Sequence, residues 1–316
     1  MRAAVIDGYG DPDRFEVREV EKPAPGPGQL LVRVHAASVN PLDWKVRKGS
    51  LRLVKPSRFP LILGYDVAGE VEAIGAEVSR FDPGDAVYAY TPQGGGYAEY
   101  ALVDEKAAAP KPASLTFEEA AAVPLTGLTA LQALRDKGEL AEGERLLVNG
   151  GAGGVGHFAV QIGKALRTHV VAAASGRNQE FLRELGADRI IDYAQEDFTK
   201  DDETFHVVFD AIGKSSFREC DLILEEGGVY VTCSFSPEIL VRGVASLIGG
   251  LFSPVRHARA VVVRPSGEDL AFLGRLIDSG RLRPHVTEVF RLERISDAHA
   301  FSEQGHVRGK LVIRIG

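Results

Sequence analysis

With 316 residues the chain is long enough for about two domains, and a content of 45% hydrophobic residues suffices to fill two cores without disulfide or metal staples. A formal net charge of -7, from 37 basic against 44 acidic residues, leaves no basic stripe for a nucleic-acid backbone or an anionic lipid surface. Only two cysteines occur, Cys220 and Cys233, without C-x-x-C spacing, which excludes a disulfide framework and a cysteine-rich zinc site and suits a reducing cytosol.

The N-terminal MRAAVIDGYG lacks the apolar run of a signal peptide, and the most apolar later stretch, around 239 to 252, is short and carries Arg242, so no membrane span is expected. Val32, Val34 and Ala36 alternate with Arg33 and His35 as a half-buried strand does, and Asp82-Pro83-Gly84-Asp85 marks a turn between two β-prone stretches. The first third therefore reads as an irregular β-rich domain. Near residue 115 the texture changes, where Thr116 and Glu119 form a capping-box signature ahead of an alanine-rich helical run.

From residue 145 short apolar runs alternate with loops or helical patterns: LLV at 146–148, VVAAA at 170–174, RII at 189–191, VVFDA at 207–211 and VYVTC at 229–233. Such runs are what a parallel sheet covered on both faces requires, and a doubly wound α/β domain follows. In the first helix Val155, Phe158, Ile162 and Leu166 recur at helical spacing and predict one apolar stripe. VVV at 261–263 predicts a further strand. Ser266 reads as the N-cap of a helix with apolar Leu270, Leu273 and Ile277, stopped at Gly280, and LVIRI at 311–315 closes the chain as a strand.

The strongest chemical signal is LLVNGGAGGVGHFAVQIGKAL. Gly151, Gly153 and Gly156 satisfy G-x-G-x-x-G between a predicted strand and a predicted helix, the context a dinucleotide loop needs, with Gly154 and Val155 inside it. Glycine there permits the tight turn, the approach of backbone N–H groups to a pyrophosphate and close helix–strand packing. About 20 residues on, where an acidic residue would hold a ribose 2'-hydroxyl, the chain reads Ser175-Gly176-Arg177-Asn178. A 2'-phosphate wants a cationic donor and no carboxylate, so NADPH is the expected cofactor.

NPLDWKVRKG at 40–49, LGYDVAG at 63–69, GGYAEY at 95–100, AAAVPLTGLTALQAL at 120–134, the glycine loop, DAIG at 210–213 and VRGKLVI at 307–313 run through the chain in one order. Together they resemble the zeta-crystallin-like quinone oxidoreductases of the medium-chain dehydrogenase/reductase superfamily, over essentially the whole length. The resemblance implies a GroES-like β-rich domain made from both chain ends, 1–118 plus 265–316, with a Rossmann-type NADPH domain, 119–264, inserted in it and nicotinamide and substrate meeting at their junction. It also implies Thr126 near the nicotinamide end, Tyr193 near the adenosine phosphate and Ile212 beside the ribose. Their plainer alternatives are a helix hydroxyl, a loop tyrosine and a core aliphatic residue. A homodimer joined through sheet edges, with the strand at 261–263 as the edge, is implied as well.

Zinc-dependent relatives in the superfamily place their catalytic ligands at positions matching Asn40, Tyr65 and Ala122, and amide, phenol and methyl do not replace thiolate and imidazole. No metal is expected. Without a Lewis acid, hydride transfer favours acceptors whose product anion is delocalised, so quinones or α,β-unsaturated carbonyls are the expected substrates. Asn40 and Tyr65 are the candidates to orient the carbonyl. Asp43, Lys45 and Arg47 on a short predicted helix are weaker ones, with capping or an ion pair as the plain alternative for Asp43. The stretch RKGSLRLVKPSRFP lacks the tyrosine that many relatives carry there, which counts against acyl-thioester enoyl reduction and leaves the proton donor unassigned. An enoyl-thioester reductase and a noncatalytic NADPH-binding crystallin-like protein are the alternatives, and no nucleic-acid partner is expected.

Overall fold

The computed structural model describes residues 1–234 and 256–316 and divides them into two compact units. One holds Met1–Leu128, Arg264–Gly280 and Pro284–Gly316, the other Thr129–Val263 and Arg281–Arg283. The apolar stretch around 239–252 falls outside the described residues.

The first unit opens with β1 (Arg2–Ile6), β2 (Glu16–Glu19), β3 (Gln29–Val39) and helix α1 (Pro41–Arg47). It continues with β4 (Leu61–Ile62), β5 (Asp66–Ile74), β6 (Ala86–Tyr90), β7 (Tyr100–Asp104), β8 (Ala108–Pro110) and α2 (Phe117–Ala121). In β3 the alternation seen in the sequence buries Val32, Val34 and Ala36 and leaves Arg33 exposed. Thr116 caps α2 as its spacing predicts, accepting from Glu119 N at 3.2 Å while the Glu119 carboxylate returns to Thr116 N at 2.9 Å. Since α2 packs on β3 and β5, the residues just past the change of texture still belong to this unit. The division comes later, at 128/129, inside α3 (Pro124–Gln132). A change in sequence texture records where helix begins, whereas the unit ends where contacts change sheet.

The second unit contains β9 (Arg145–Asn149), α4 (Gly156–Ala165), β10 (His169–Ala174), α5 (Gln179–Glu184) and β11 (Arg189–Asp192), then β12 (Phe205–Asp210), α6 (Phe217–Cys220), β13 (Leu224–Thr232) and β14 (His257–Ala260). These strands form one sheet in the order β11-β10-β9-β12-β13-β14, every pairing parallel. This is the doubly wound dinucleotide-binding order, with its switch point beside the first strand.

Two expectations are corrected here. The last strand of this sheet is His257–Ala260, in register with Val229–Thr232, and not VVV at 261–263. Val261 is buried and its N–H donates to Thr232 O at 2.9 Å, whereas Val262 is 60% exposed, so pairing reaches only the first residue of the valine run. Helix α4 also has more than a stripe against the core, because Gly156 through Gly163 are all buried, while Val155 precedes the helix and Leu166 caps it, both half-exposed.

The chain then returns to the first unit with α7 (Gly267–Asp278), β15 (Val286–Arg291), α8 (Ile295–Glu303) and β16 (Lys310–Arg314). Ser266 caps α7 by accepting from Asp269 N at 3.1 Å, and Gly280, at φ +73, follows its end. Strand β16 lies antiparallel to β3, pairing Leu311 with Val39, and completes the sheet β15-β16-β3-β5-β6-β8 with β7 also on β3. The two ends of the chain are thus woven into one β-rich unit, and the Rossmann-type unit is inserted between them in sequence.

Candidate functional site

In the parallel unit the glycine loop leaves β9 at Asn149. Gly150, at φ +80, makes the turn, and the N–H groups of Gly150 and Gly151 both donate to Ala173 O, at 3.0 and 3.1 Å. A methyl on Gly156 would lie 2.1 Å from Gly150 O, and one on Gly151 would lie 3.0 Å from the Ala172 methyl and 3.1 Å from Leu182. These approaches are why two of the motif glycines are needed: one lets the start of α4 fold back over the turn, the other lets the loop lie on β10. Gly153 is less constrained, with Gly150 O at 3.4 Å from the same imagined methyl. The turn residue itself, Gly150, is outside the motif as read from spacing, and the doublet Gly150-Gly151 directly after a strand was the signal for it. Gly154 and Val155 lie half-exposed at the opening of α4, a ten-residue helix, whose N-terminal dipole end favours an anion. The loop fits a dinucleotide pyrophosphate.

Ser175 follows the last residue of β10, and Asn178 Nδ2 donates to Ser175 Oγ at 3.0 Å, so this pair shapes the short turn that presents exposed Arg177. A carboxylate does come near, since a methyl on Gly176 would meet Asp192 Oδ2 at 2.5 Å. That carboxylate is 9% exposed and accepts from Ala194 N and Gln195 Nε2 at 3.1 and 3.0 Å. Tyr193 and Ile212 are 57% and 47% exposed, and the Ile212 side chain covers Gly150. Neither is a core residue. Asp210 was not singled out by sequence, yet it organises the loop carrying Ile212. Its buried carboxylate accepts from Asn149 Nδ2 (2.9 Å), Gly213 N (3.0 Å), Ser215 N (2.9 Å) and the Tyr230 hydroxyl (3.0 Å).

In the β-rich unit a second polar cluster gathers at the start of α1. Asn40 is the N-cap, buried, and Asp43 completes a capping box by accepting from Asn40 N at 2.8 Å. The other Asp43 oxygen accepts from Gly64 N at 2.9 Å. Burial pushes the Asp43 carboxyl up to about 7, against the pull of these two backbone donors and of Lys310. Asp43 therefore has the capping role offered as its plain alternative. Arg47 is also structural: its buried guanidinium bonds Gly10 O at 3.1 Å, faces His299 Nδ1 at 3.3 Å and pairs with Glu303. Lys45 is exposed.

Asp66, at the first position of β5, is the centre of the cluster. It accepts from Ser38 Oγ at 2.5 Å, Asn40 Nδ2 at 2.8 Å and, near the start of α3, Leu125 N at 2.7 Å. The Lys310 ammonium lies 3.7 Å from the same carboxylate and bonds both Val39 O, at 3.3 Å, and Asn40 Oδ1. Burial lowers the Lys310 ammonium from its ordinary range, an effect that Asp66 and Asp43 oppose. Asn40 is thus held at both ends of its amide. Beside it Tyr65 is 1% exposed, and burial, with Asp43 and Tyr90 nearby, raises its phenol well above the ordinary value. Ala122 is fully buried at the end of α2, and the Thr126 hydroxyl donates to Ala122 O at 3.1 Å, the helix-hydroxyl arrangement. Asp66 and Lys310 escaped sequence reasoning, although single charges set in the apolar runs LGYDVAG and GKLVI were a signal. A buried charge needs a partner.

A parallel sheet of this order with a glycine cradle, inserted in a GroES-like unit, defines a nucleotide-dependent oxidoreductase. Residues 26–113 match the family described as alcohol dehydrogenase GroES-like domain, and residues 185–313 match that described as zinc-binding dehydrogenase. The chloroplast envelope quinone oxidoreductase homolog of Arabidopsis thaliana is 33% identical over 99% of this chain and 98% of its own. The 2-methylene-furan-3-one reductase of Solanum lycopersicum is 34% identical over 99% of this chain and 79% of its own. Among solved structures, the quinone oxidoreductase from Coxiella burnetii has 35% identity and a TM-score of 0.88, covering 100% of this chain and 99% of its own. The chain belongs to the medium-chain dehydrogenase/reductase superfamily, in its quinone oxidoreductase branch.

Proposed function

We propose that the chain is an NADPH-dependent, zinc-independent reductase of quinones or α,β-unsaturated carbonyls. The observation that carries the reading is Lys310 on Asn40 Oδ1. Of the three positions that match a zinc site in relatives, one offers an amide whose oxygen already faces a fixed cation, one a neutral phenol and one a methyl. That donor set does not fit a divalent ion, which a buried ammonium would repel.

The glycine cradle fits the pyrophosphate of the cofactor, and Ser175, Arg177 and Asn178 are the residues proposed to take its 2'-phosphate, with Tyr193 and Ile212 against the adenosine and ribose. The reduced nicotinamide supplies hydride. What the protein must then do is hold an oxyanion without a metal, which favours acceptors that delocalise it. Names of relatives as quinone oxidoreductases and an enone reductase support that substrate class. A homodimer through β14, which pairs on one side only among the described residues, and a cytosolic location, suited to a chain with only two cysteines, complete the proposal.

The test follows reduced-nicotinamide absorbance with NADPH and NADH against para-quinones, short enones and an enoyl thioester, with and without chelator. Chelator-resistant turnover of quinones or enones with NADPH is expected. Arg177→Ala should raise the Kd for NADPH about tenfold, about 1.4 kcal/mol for a charged hydrogen bond, and leave NADH unchanged. Turnover abolished by chelation overturns the metal-free reading, and NADPH binding without turnover of any acceptor points to a noncatalytic protein.

A further inference from the structure

The reading above leaves the negative charge on the reduced acceptor without a named partner. The candidate groups Asn40, Asp43 and Tyr65 are poorly suited to meet it. The Asn40 amide is bonded at both ends, Asp43 caps a helix, and the Tyr65 phenol holds its proton more tightly than an ordinary tyrosine. A better group stands on the loop between α1 and β4.

In that loop Arg52, Leu53, Val54, Pro56 and Arg58 are not buried, with Leu53 and Val54 at 93% and 81% exposure. Lys55, next to these exposed side chains, is only half-exposed. A long cationic side chain ordinarily reaches for water. This one instead turns inward, so that Nζ lies 5.2 Å from the centre of the Tyr65 ring and donates to Pro92 O at 2.7 Å. The backbone supports the placement, since Lys55 N donates to Leu51 O at 2.7 Å. Among the described residues no carboxylate pairs with this ammonium. It has three N–H donors and one acceptor, so two donors and an uncompensated positive charge remain beside Tyr65. Burial also lowers its proton affinity, which makes it a better acid than a surface lysine.

We propose that Lys55 is a catalytic residue, the fixed cation that holds the oxyanion of the hydride-reduced quinone or enone and gives it a proton. This rests on the oxidoreductase reading above. The acceptor, having gained two electrons and one hydrogen as hydride, carries the negative charge on oxygen. One Nζ–H bond of Lys55 breaks as the O–H bond forms, and the amine regains its proton from water. The Tyr65 ring and Pro92 O keep the ammonium in place between turnovers.

The test compares wild type, Lys55→Met and Lys55→Arg in the NADPH-loaded protein, with kcat and KM for a para-quinone and a short enone, melting temperature and NADPH affinity. Lys55→Met is expected to lose about 100-fold in kcat, the lower end for a general acid, with melting temperature and NADPH affinity unchanged. Lys55→Arg, which keeps charge but parts with its proton poorly, should recover only part of the loss. Lys55→Met within twofold of an active wild type overturns the assignment while leaving the oxidoreductase reading intact. Should wild type turn over neither acceptor, that reading fails, and binding of para-nitrophenolate to the NADP-loaded protein decides for Lys55 alone. Weaker binding in Lys55→Met upholds its anion-holding role, and equal binding overturns it.

Discussion

Between Asn149 and Gly156 the chain makes a tight loop by leaving side chains out, whereas around Asp66 it makes a polar cluster by burying charge. In the first region the closest approach is backbone to backbone, at Gly156 over Gly150 O. In the second they join residues far apart in sequence, Ser38, Asn40, Leu125 and Lys310, on one carboxylate. The first tolerates nothing added at Gly156 and the second nothing removed at Lys310. That difference can be attacked by substitution from either side.

The largest expected effect is Lys310→Met. It strands Asp66 and the Asn40 amide oxygen without their cation, and breaking a buried pair in this way costs roughly 3–5 kcal/mol. The denaturant midpoint measures it, and a loss below about 1 kcal/mol would mean that the cluster is not held by charge. Next is Gly156→Ala, whose methyl would meet Gly150 O at 2.1 Å. Overpacking of this kind costs about 1–3 kcal/mol, and nucleotide binding should suffer with it. Gly153→Ala, with 3.4 Å to the same oxygen, is the control and should change stability by less than about 1 kcal/mol. Equal effects of the two alanines would erase the backbone argument.

The smallest effect is a slope. Asp43 titrates at about 7 in the folded protein against an ordinary 3.8, so the folded state holds this proton more tightly. Its contribution to stability is full below about pH 3.8 and is lost as pH rises through about 7. His299 works in the other direction, because burial and Arg47 hold it neutral, with a proton affinity well below the ordinary 6.5. Its contribution is present above that value and lost as pH falls below it. Asp43→Asn removes only the first term. It should flatten the Asp43 part of the stability-against-pH curve between about pH 4 and 7 and cost ~1 kcal/mol near pH 5, one backbone hydrogen bond. Urea midpoints across that range measure it, and an unchanged slope would show that Asp43 does not titrate there.

The parallel unit was legible in sequence nearly strand by strand because each buried strand is a continuous apolar run and each cap is local. The glycine loop stands where spacing places it, as do the caps Thr116 and Ser266 in the β-rich unit. The edge strand was not, since VVV at 261–263 is as apolar as His257–Ala260 is mixed, and pairing to β13 is a matter of register rather than hydropathy. The turn glycine was read one place late, because spacing identifies a motif but not which of its residues takes the left-handed conformation.

By itself, the sequence determined the fold class, the glycine loop and the family, all carried by local patterns: period, caps, glycine spacing and the order of short motifs. Tertiary structure alone decided the rest of the candidate chemistry. It bonded the Asn40 amide at both ends, made Asp43 a cap, centred a cluster on Asp66 with Lys310 from the far end of the chain, and turned Lys55 inward over Tyr65. A hydrogen bond or a buried charge pair is a relation between two residues, and only the folded chain brings both members together.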